Sequence, residues 1–384
     1  MKILHINSYY RGSMFYKNLY DCQLRCGNDI SVFVPVSSFI NDRKDFGSYT
    51  IISKNHTKYD RFIFHLKQQK IYRDIINKYE IKKFSIFHAH SLFTNGYTAM
   101  KLKNDFGIPY IVAVRNTDVN IFFKKMFHLR RVGVKILKNA DCIIFLSKTY
   151  KDEVVQRYVP EKYRKEVNDK SFIVPNGIDD YWFENIISQK KEPSSTNLRL
   201  LQIGDINRNK NIETTVKAVE LLAEKGYKVS LEVVGKIKDK TVFDKIKDLD
   251  FVNYLGTKTK EELLEIYRNN DIFILPSINE TFGLVYAEAM SQGVPIIYTR
   301  GQGFDSHFME GEVGFSVNPN GPSEIVENID KIIKNYLRIS ENCILLCKRF
   351  SWSEITNTYI KVYKNIDKPE LFIQFIQTAL GAAQ

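Results

Sequence analysis

The chain has 384 residues, 44% hydrophobic and 26% charged, and carries a formal net charge of +12. Such a length holds two domains with separate cores, and such a composition excludes the disordered and fibrous classes. No apolar run approaches the length of a membrane span, and the positive charge comes without a helix-turn-helix, zinc-finger or RNP pattern, so nucleic acid is not an expected partner.

Taken in chain order, the opening Met1 to Asn7 is too short and too broken by polar residues for a signal peptide, and reads as a first strand. Further strand-like runs follow at Ile30 to Val36, Ile86 to Ala89, Tyr110 to Val114, Cys142 to Leu146 and Phe172 to Val174, alternating with helical patterns. Alternation of this kind implies a parallel sheet wound with helices. His88 and His90 point the same way at the end of one strand, but with no Asp or Cys nearby they are not expected to bind metal. Between Phe122 and Lys138 the bases Lys124, Lys125, Arg130, Arg131, Lys135 and Lys138 meet no acid, and they interleave with Phe122, Phe123, Met126, Phe127 and Leu129. This basic amphipathic segment fits two readings: it lies on an anionic bilayer surface, or it buries its aromatic stripe under solvated lysines. The cysteines, Cys22, Cys26, Cys142, Cys343 and Cys347, are expected as reduced, packed thiols of a cytosolic protein.

The polar stretch Gln189 to Asn197 is the linker candidate. After it the alternation restarts with Leu198 to Ile203, Val229 to Val234, Phe251 to Tyr254, Ile272 to Leu275 and Pro295 to Tyr298, which implies a second wound sheet. Ligands of such sheets gather at the carboxyl ends of the strands. Gly204-Asp205-Ile206-Asn207-Arg208-Asn209-Lys210-Asn211 follows one such end, where a cation would reach a diphosphate and stabilise charge on a departing phosphate. Asp248-Leu249-Asp250 imitates a metal-binding D-x-D, but it sits in a Lys/Asp-rich stretch ahead of a strand, and no metal or other cofactor is expected. Pro276 and Asn279 break the next run before a helical pattern from about Phe282 to Gln292. Glu280 then sits at the helix mouth, and eight helical steps of about 1.5 Å put Glu288 roughly 12 Å farther along, close to the sugar-to-ribose distance of a nucleotide sugar. The diphosphate would lie between them, on the free N–H groups of Phe282, Gly283 and Leu284 and the positive end of the helix dipole.

Strand, Pro-Ser, Glu280, Thr281-Phe282-Gly283-Leu284, Glu288-Ala289-Met290 and Gly293-Val294-Pro295-Ile296-Ile297 together resemble the donor-site signature of the retaining family 4 (GT4) glycosyltransferases of GT-B fold, in their bacterial surface-polysaccharide branch. The resemblance extends over nearly the whole chain, through Val174 to Asp179, Gly204 to Asn211 and Asn253 to Gly256. It implies an α/β chain of two Rossmann-like, doubly wound domains facing a central cleft. Residues 1–184 would form the acceptor side and 185–350 the nucleotide-sugar side, with 351–384 as a helical tail crossing back to the first domain.

The same resemblance implies roles. Glu288 would hold the ribose hydroxyls and Glu280 the sugar hydroxyls, with the Thr281 to Leu284 backbone near sugar and phosphate. Lys210 would meet the diphosphate, with Gly204 and Gly235 in the donor pocket. Gly12 would let the first domain approach, although the usual double glycine is reduced to one. Two departures stand out. Asp205 replaces the usual phosphate-binding Arg, which makes Arg208 the substitute cation, and Arg115 stands where the family often has a His. Arg115 cannot act as a general base at neutral pH, but it would hold an anionic sugar or phosphate beside Asn116, oriented by Asp118. The expected activity is hexosyl transfer from a nucleotide sugar, UDP-linked by preference, to a glycan or lipid-linked acceptor, in the cytoplasm or peripherally at the inner face of the membrane. The rivals are a GT-B-fold sugar-nucleotide 2-epimerase and a non-catalytic subunit that keeps the fold to bind a partner.

Overall fold

The computed structural model describes residues 1–12, 15–38, 44–194 and 197–367. Ser13 and the tail stretch Leu371 to Gln384 lie outside the described residues. Two compact units emerge: residues 1–146 and 150–175 with the described residues from Trp352 onward form one, and residues 147–149 and 176–351 the other.

Seven strands build the first unit: β1 (Lys2–Ile6), β2 (Asp29–Val36), β3 (Thr50–Lys54), β4 (Ile86–Ala89), β5 (Tyr110–Val114), β6 (Cys142–Phe145) and β7 (Ser171–Ile173). They pair in parallel in the order β3-β2-β1-β4-β5-β6-β7. The middle strands β4, β5 and β6 are buried at every residue, as a parallel sheet covered on both faces requires. Chain order reverses between β1 and β4, which opens a crevice at their carboxyl ends.

The helix Trp352–Asp367 belongs to this unit. Trp352, Ile355, Tyr359, Val362 and Tyr363 repeat at helical spacing and are buried in one cluster with Tyr16, Leu19 and Tyr20 of the helix Phe15–Arg25. Between these helices and the sheet lies a buried polar layer. Gln23 Nε2 donates to the Tyr363 hydroxyl at 3.1 Å, which in turn donates to His88 Nδ1 at 2.8 Å. Gln23 Oε1 accepts from His5 Nε2 at 2.9 Å, leaving His5 Nδ1 to accept from His90 Nε2 at 3.0 Å. The strand-end histidine pair thus gains a third member, His5 of β1, and ring nitrogens of all three lie within 4.8 Å of one another. Burial drives His5 down to about 3 and His88 and His90 well below the ordinary histidine value, so all three are neutral hydrogen-bonding groups.

Of the basic segment, Phe123 and Leu129 are buried, and Phe122 and Met126 pack against the same core. Lys124 pairs with Glu153 at 3.2 Å, and Arg130 Nε donates to the Phe123 carbonyl at 2.6 Å. The aromatic stripe therefore turns inward, while Ile121 and Phe127 stay exposed. All five cysteines are free thiols, four of them buried; Cys26 is exposed rather than packed.

The second unit has six parallel strands, β8 (Asn197–Ile203), β9 (Lys228–Val234), β10 (Val252–Gly256), β11 (Ile272–Leu275), β12 (Ile296–Thr299) and β13 (Gly314–Val317), in the order β10-β9-β8-β11-β12-β13. Its order reverses between β8 and β11. The division between units falls at Pro175/Asn176, earlier than the expected 184/185, because Trp182 is buried in the second unit's core. The linker candidate is anchored as well: Lys190 is buried and donates to the carbonyls of Tyr267 at 2.8 Å and Arg268 at 3.2 Å. Both Asp248 and Asp250 are exposed on the turn before β10.

Candidate active site

The loops after β8 and β11 leave the sheet side by side at the reversal of strand order, and a set of asparagine bonds ties them together. Asn209 Nδ2 donates to the Asn279 carbonyl at 2.9 Å, its Oδ1 accepts from the Asn279 N–H at 3.0 Å, and its carbonyl accepts from the Ile278 N–H at 2.8 Å. Asn211 adopts a left-handed backbone (φ 55°) and donates to the carbonyls of Pro276 at 3.0 Å and Pro319 at 2.6 Å. These clamps bring Lys210 Nζ to 2.6 Å from Glu280 Oε2. Glu280 is 8% exposed. Ser277 Oγ donates to the same carboxylate at 3.3 Å, and the Thr281 N–H donates to it at 3.1 Å. A carboxylate that must leave water is thus met by a cation and two further donors.

Glycines permit the close approach of these loops. At Gly204 (φ 155°) an added Cβ would meet the Lys210 chain at 3.1 Å; at Gly235 (φ 149°) it would fall 1.9 Å from the Gly204 carbonyl oxygen. Gly235 therefore supports the first loop from behind. Gly303, in the loop after β12, presses on the Thr281 carbonyl in the same way, at 1.6 Å. Beside it Gln302 Oε1 accepts from the Glu280 N–H at 2.9 Å.

The helix expected from Phe282 spans Leu284–Ser291. Gly283 is in the left-handed region (φ 77°) and ends the loop there, so Glu280 precedes the helix and the eight-step spacing does not apply. Phe282 turns its ring into the core against Phe304 and Phe350 and contributes only backbone to the site. Among the described residues the N–H groups of Phe282, Gly283 and Leu284 have no hydrogen-bond partner, and with the helix dipole they suit an anion. Glu288, one turn into the helix, is half-buried, and Tyr267 donates its hydroxyl to Oε2 at 3.2 Å. Burial pushes Glu288 up to about 7, with the Tyr267 bond and Lys260 opposing and Asp179 adding a little. Asp205 and Arg208 are exposed, and Arg208 Nε lies 3.5 Å from Asp239 Oδ2, so its charge is turned toward that acid.

In the first unit Arg115 directly follows β5, 7% exposed. Its Nε donates to the His90 carbonyl at 3.3 Å, and its guanidinium interacts with Tyr16 and Tyr359. Asp118 is fully buried, and its oxygens accept the N–H groups of Leu92 (2.9 Å), Phe93 (3.1 Å) and Arg115 (2.9 Å). It holds the main chain of two strand-end loops, and so places Arg115 through its backbone. Burial raises Asp118 to about 6 against these three bonds. Asn116 is half-buried and accepts from Asn120 Nδ2 at 2.7 Å. Gly12 closes a short turn with open space where a Cβ would stand, so nothing described in this unit forbids a side chain there.

Expected site residues from one unit do converge: Gly204, Lys210, Gly235 and Glu280 form one cluster, with Thr281 to Leu284 and Glu288 following along the adjoining helix. The sequence reading gives no site role to Gln302, Asn209 or Tyr267. Gln302 lies in a strand-end loop and Asn209 beside Lys210, signals that were present; Tyr267 carried none, since only tertiary packing brings its helix to Glu288.

Two parallel-sheet α/β units, each with a reversal of strand order, are the architecture of GT-B glycosyltransferase structures, which this chain matches. Residues 13–181 match the family Glycosyltransferase Family 4, and residues 183–350 match Glycosyl transferases group 1. The chain is a GT4-type glycosyltransferase. It is 25% identical over 352 residues to the uncharacterized glycosyltransferase MJ1178 of Methanocaldococcus jannaschii, covering 87% of this chain and 94% of that one. It is 26% identical over 203 residues to the capsular polysaccharide biosynthesis glycosyltransferase CapM of Staphylococcus aureus, covering 51% and 53%. The structure of Anabaena HepE in complex with UDP-glucose superimposes with a TM-score of 0.65 at 15% identity, covering 95% of this chain and all of that one.

Proposed function

We propose that the chain is a retaining glycosyltransferase that moves a hexosyl group from a UDP-sugar to a glycan or lipid-linked acceptor in the synthesis of a bacterial surface polysaccharide. The observation that carries this reading is the Lys210–Glu280 pair beside an anion-ready helix start. On binding, sugar hydroxyls would replace part of the Lys210 contact on Glu280, and the ammonium would turn to the diphosphate. There it would stabilise the charge that grows on the departing phosphate. The unpaired amides of Phe282 to Leu284 would share that charge, and Glu288 would fix the ribose. The leaving phosphate itself would take the acceptor proton, so no general base is required of Arg115, whose buried charge sits under the acceptor side of the first unit. The HepE complex with UDP-glucose and the likeness to CapM support the donor class and the polysaccharide setting.

The test is a thermal-shift panel of UDP-, GDP- and dTDP-sugars, followed by proton NMR of the product formed with the best donor. A UDP-sugar should give the largest shift, and the anomeric configuration should be retained. An inverted product sinks the mechanism. Activity should survive EDTA; its loss with recovery on added manganese would move the role given to Lys210 to a metal.

A further inference from the structure

We propose that the first unit seats the hydrocarbon chain of a lipid phosphate acceptor in an apolar groove that leads to its strand ends; this rests on the reading above that the chain is a transferase whose first unit takes the acceptor. The groove has a volume of about 610 Å³, in the range usual for ligand sites. Phe62, Ile63 and Phe64 form one wall and Phe122, Met126 and Leu129 the other. Large apolar side chains left in water gather on these same two segments: Tyr59, Phe62, Ile63 and Leu66 on one side, Ile121 and Phe127 on the other. A patch of that kind marks an interaction surface.

Charge makes the choice of occupant. Lys67 lines the groove half-buried, and no carboxylate pairs with it among the described residues. The acid it feels, Asp60, is taken by Lys70 at 2.8 Å. Desolvation lowers the Lys67 pKa, a cost that an anionic head group would offset. The groove also has a direction. Thr94 lines the groove too, and its Oγ1 lies 3.3 Å from Ser8 Oγ in the loop after β1. Phe122 stacks on Phe93 at 4.5 Å between ring centroids, and the Phe93 N–H is held by Asp118. An amphiphile lying in the groove therefore has its polar end at the carboxyl ends of β1 and β4, near the Arg115–Asp118 turn, where a doubly wound sheet takes its ligand.

The experiment is calorimetric titration of the full chain with dodecyl phosphate below its micellar concentration and with dodecyl maltoside as the neutral control, donor omitted, with UDP-glucose affinity measured in parallel. Dodecyl phosphate should bind saturably and more tightly than the maltoside. Phe62→Ser/Ile63→Ser should weaken it by about tenfold or more, and because these side chains are 73% and 59% exposed, the fold should be undisturbed. Lys67→Gln should cost about fivefold and remove the preference for the phosphate. Absence of dodecyl phosphate binding, or binding that these variants leave unchanged, overturns the inference and points to a soluble acceptor. Loss of UDP-glucose binding alone would overturn the donor reading and leave the lipid groove standing.

Discussion

Replacing Glu288 by Gln separates a ribose-binding carboxylate from a helix-surface one. Burial holds its carboxyl at about 7, so near neutrality the group is half ionised. If the ionised form accepts the ribose hydroxyls, affinity follows the ionised fraction: about ten-elevenths at pH 8 and about one-eleventh at pH 6, a tenfold weakening across two units. UDP-glucose is the suitable probe, because its diphosphate is esterified at both ends and does not titrate in this window. Calorimetry at pH 6, 7 and 8 should show that slope in the native chain and a flat profile in Glu288→Gln. The variant should bind about 10- to 150-fold more weakly at pH 8, the range for losing a hydrogen bond to a charged group. Stability should move the other way. A carboxyl whose folded pKa exceeds its unfolded value contributes destabilisation that grows as pH rises from about 4.5 to 7, so Glu288→Gln should melt higher than the native chain at pH 8. A pH-independent native affinity, or the same slope in the variant, refutes the assignment.

Lys210→Ala leaves the buried Glu280 without its cation, and kcat/KM should fall by about 10²- to 10³-fold; activity within threefold of native would remove Lys210 from the mechanism. Arg208→Ala should cost about tenfold if the side chain leaves Asp239 for the diphosphate, whereas a silent Arg208→Ala beside a dead Lys210→Ala assigns the phosphate to one cation. Gly235→Ala sets a methyl 1.9 Å from the Gly204 oxygen, and should lower stability by about 1–3 kcal/mol and weaken UDP-glucose binding; an unchanged melt would mean that the loop yields. The neutral histidines of the first unit gain protons only on unfolding as pH falls below about 6.5, so its stability should drop by up to about 4 kcal/mol per unit, three protons' worth; urea midpoints equal at pH 7 and pH 5 would contradict that.

Where strands are buried on both faces, the sequence is explicit: Ile86 to Ala89, Tyr110 to Val114 and Ile272 to Leu275 are apolar runs, and each is a central strand. The edges are different. β3, Thr-Ile-Ile-Ser-Lys, is β-branched at its start but only half-buried, and β13 opens on Gly314, whose lack of a side chain lets it lie against the Ile296 carbonyl; neither is the unbroken apolar run that marks a strand buried on both faces. Loop chemistry was legible because Lys210 and Glu280 follow recognisable strands. Their 2.6 Å contact was not, since it depends on Asn209 and Asn211 bridging segments some seventy residues apart. Asp118 was legible as important, but its task of holding three amides can be read only from the folded main chain.

The helix Trp352–Asp367 completes the core of a unit whose other residues end at Pro175. Its contacts span the chain: Gln23 reaches Tyr363 across 340 residues and His88 reaches it across 275. During synthesis the first unit therefore emerges incomplete, with the polar layer around His5, His88 and His90 uncovered, and waits while the entire second unit is made. At usual elongation rates that wait is roughly ten to thirty seconds. The common order, in which the N-terminal domain folds first, is inverted here: the second unit can close as soon as its strands are out, and the first becomes native only when the ribosome has passed Asp367.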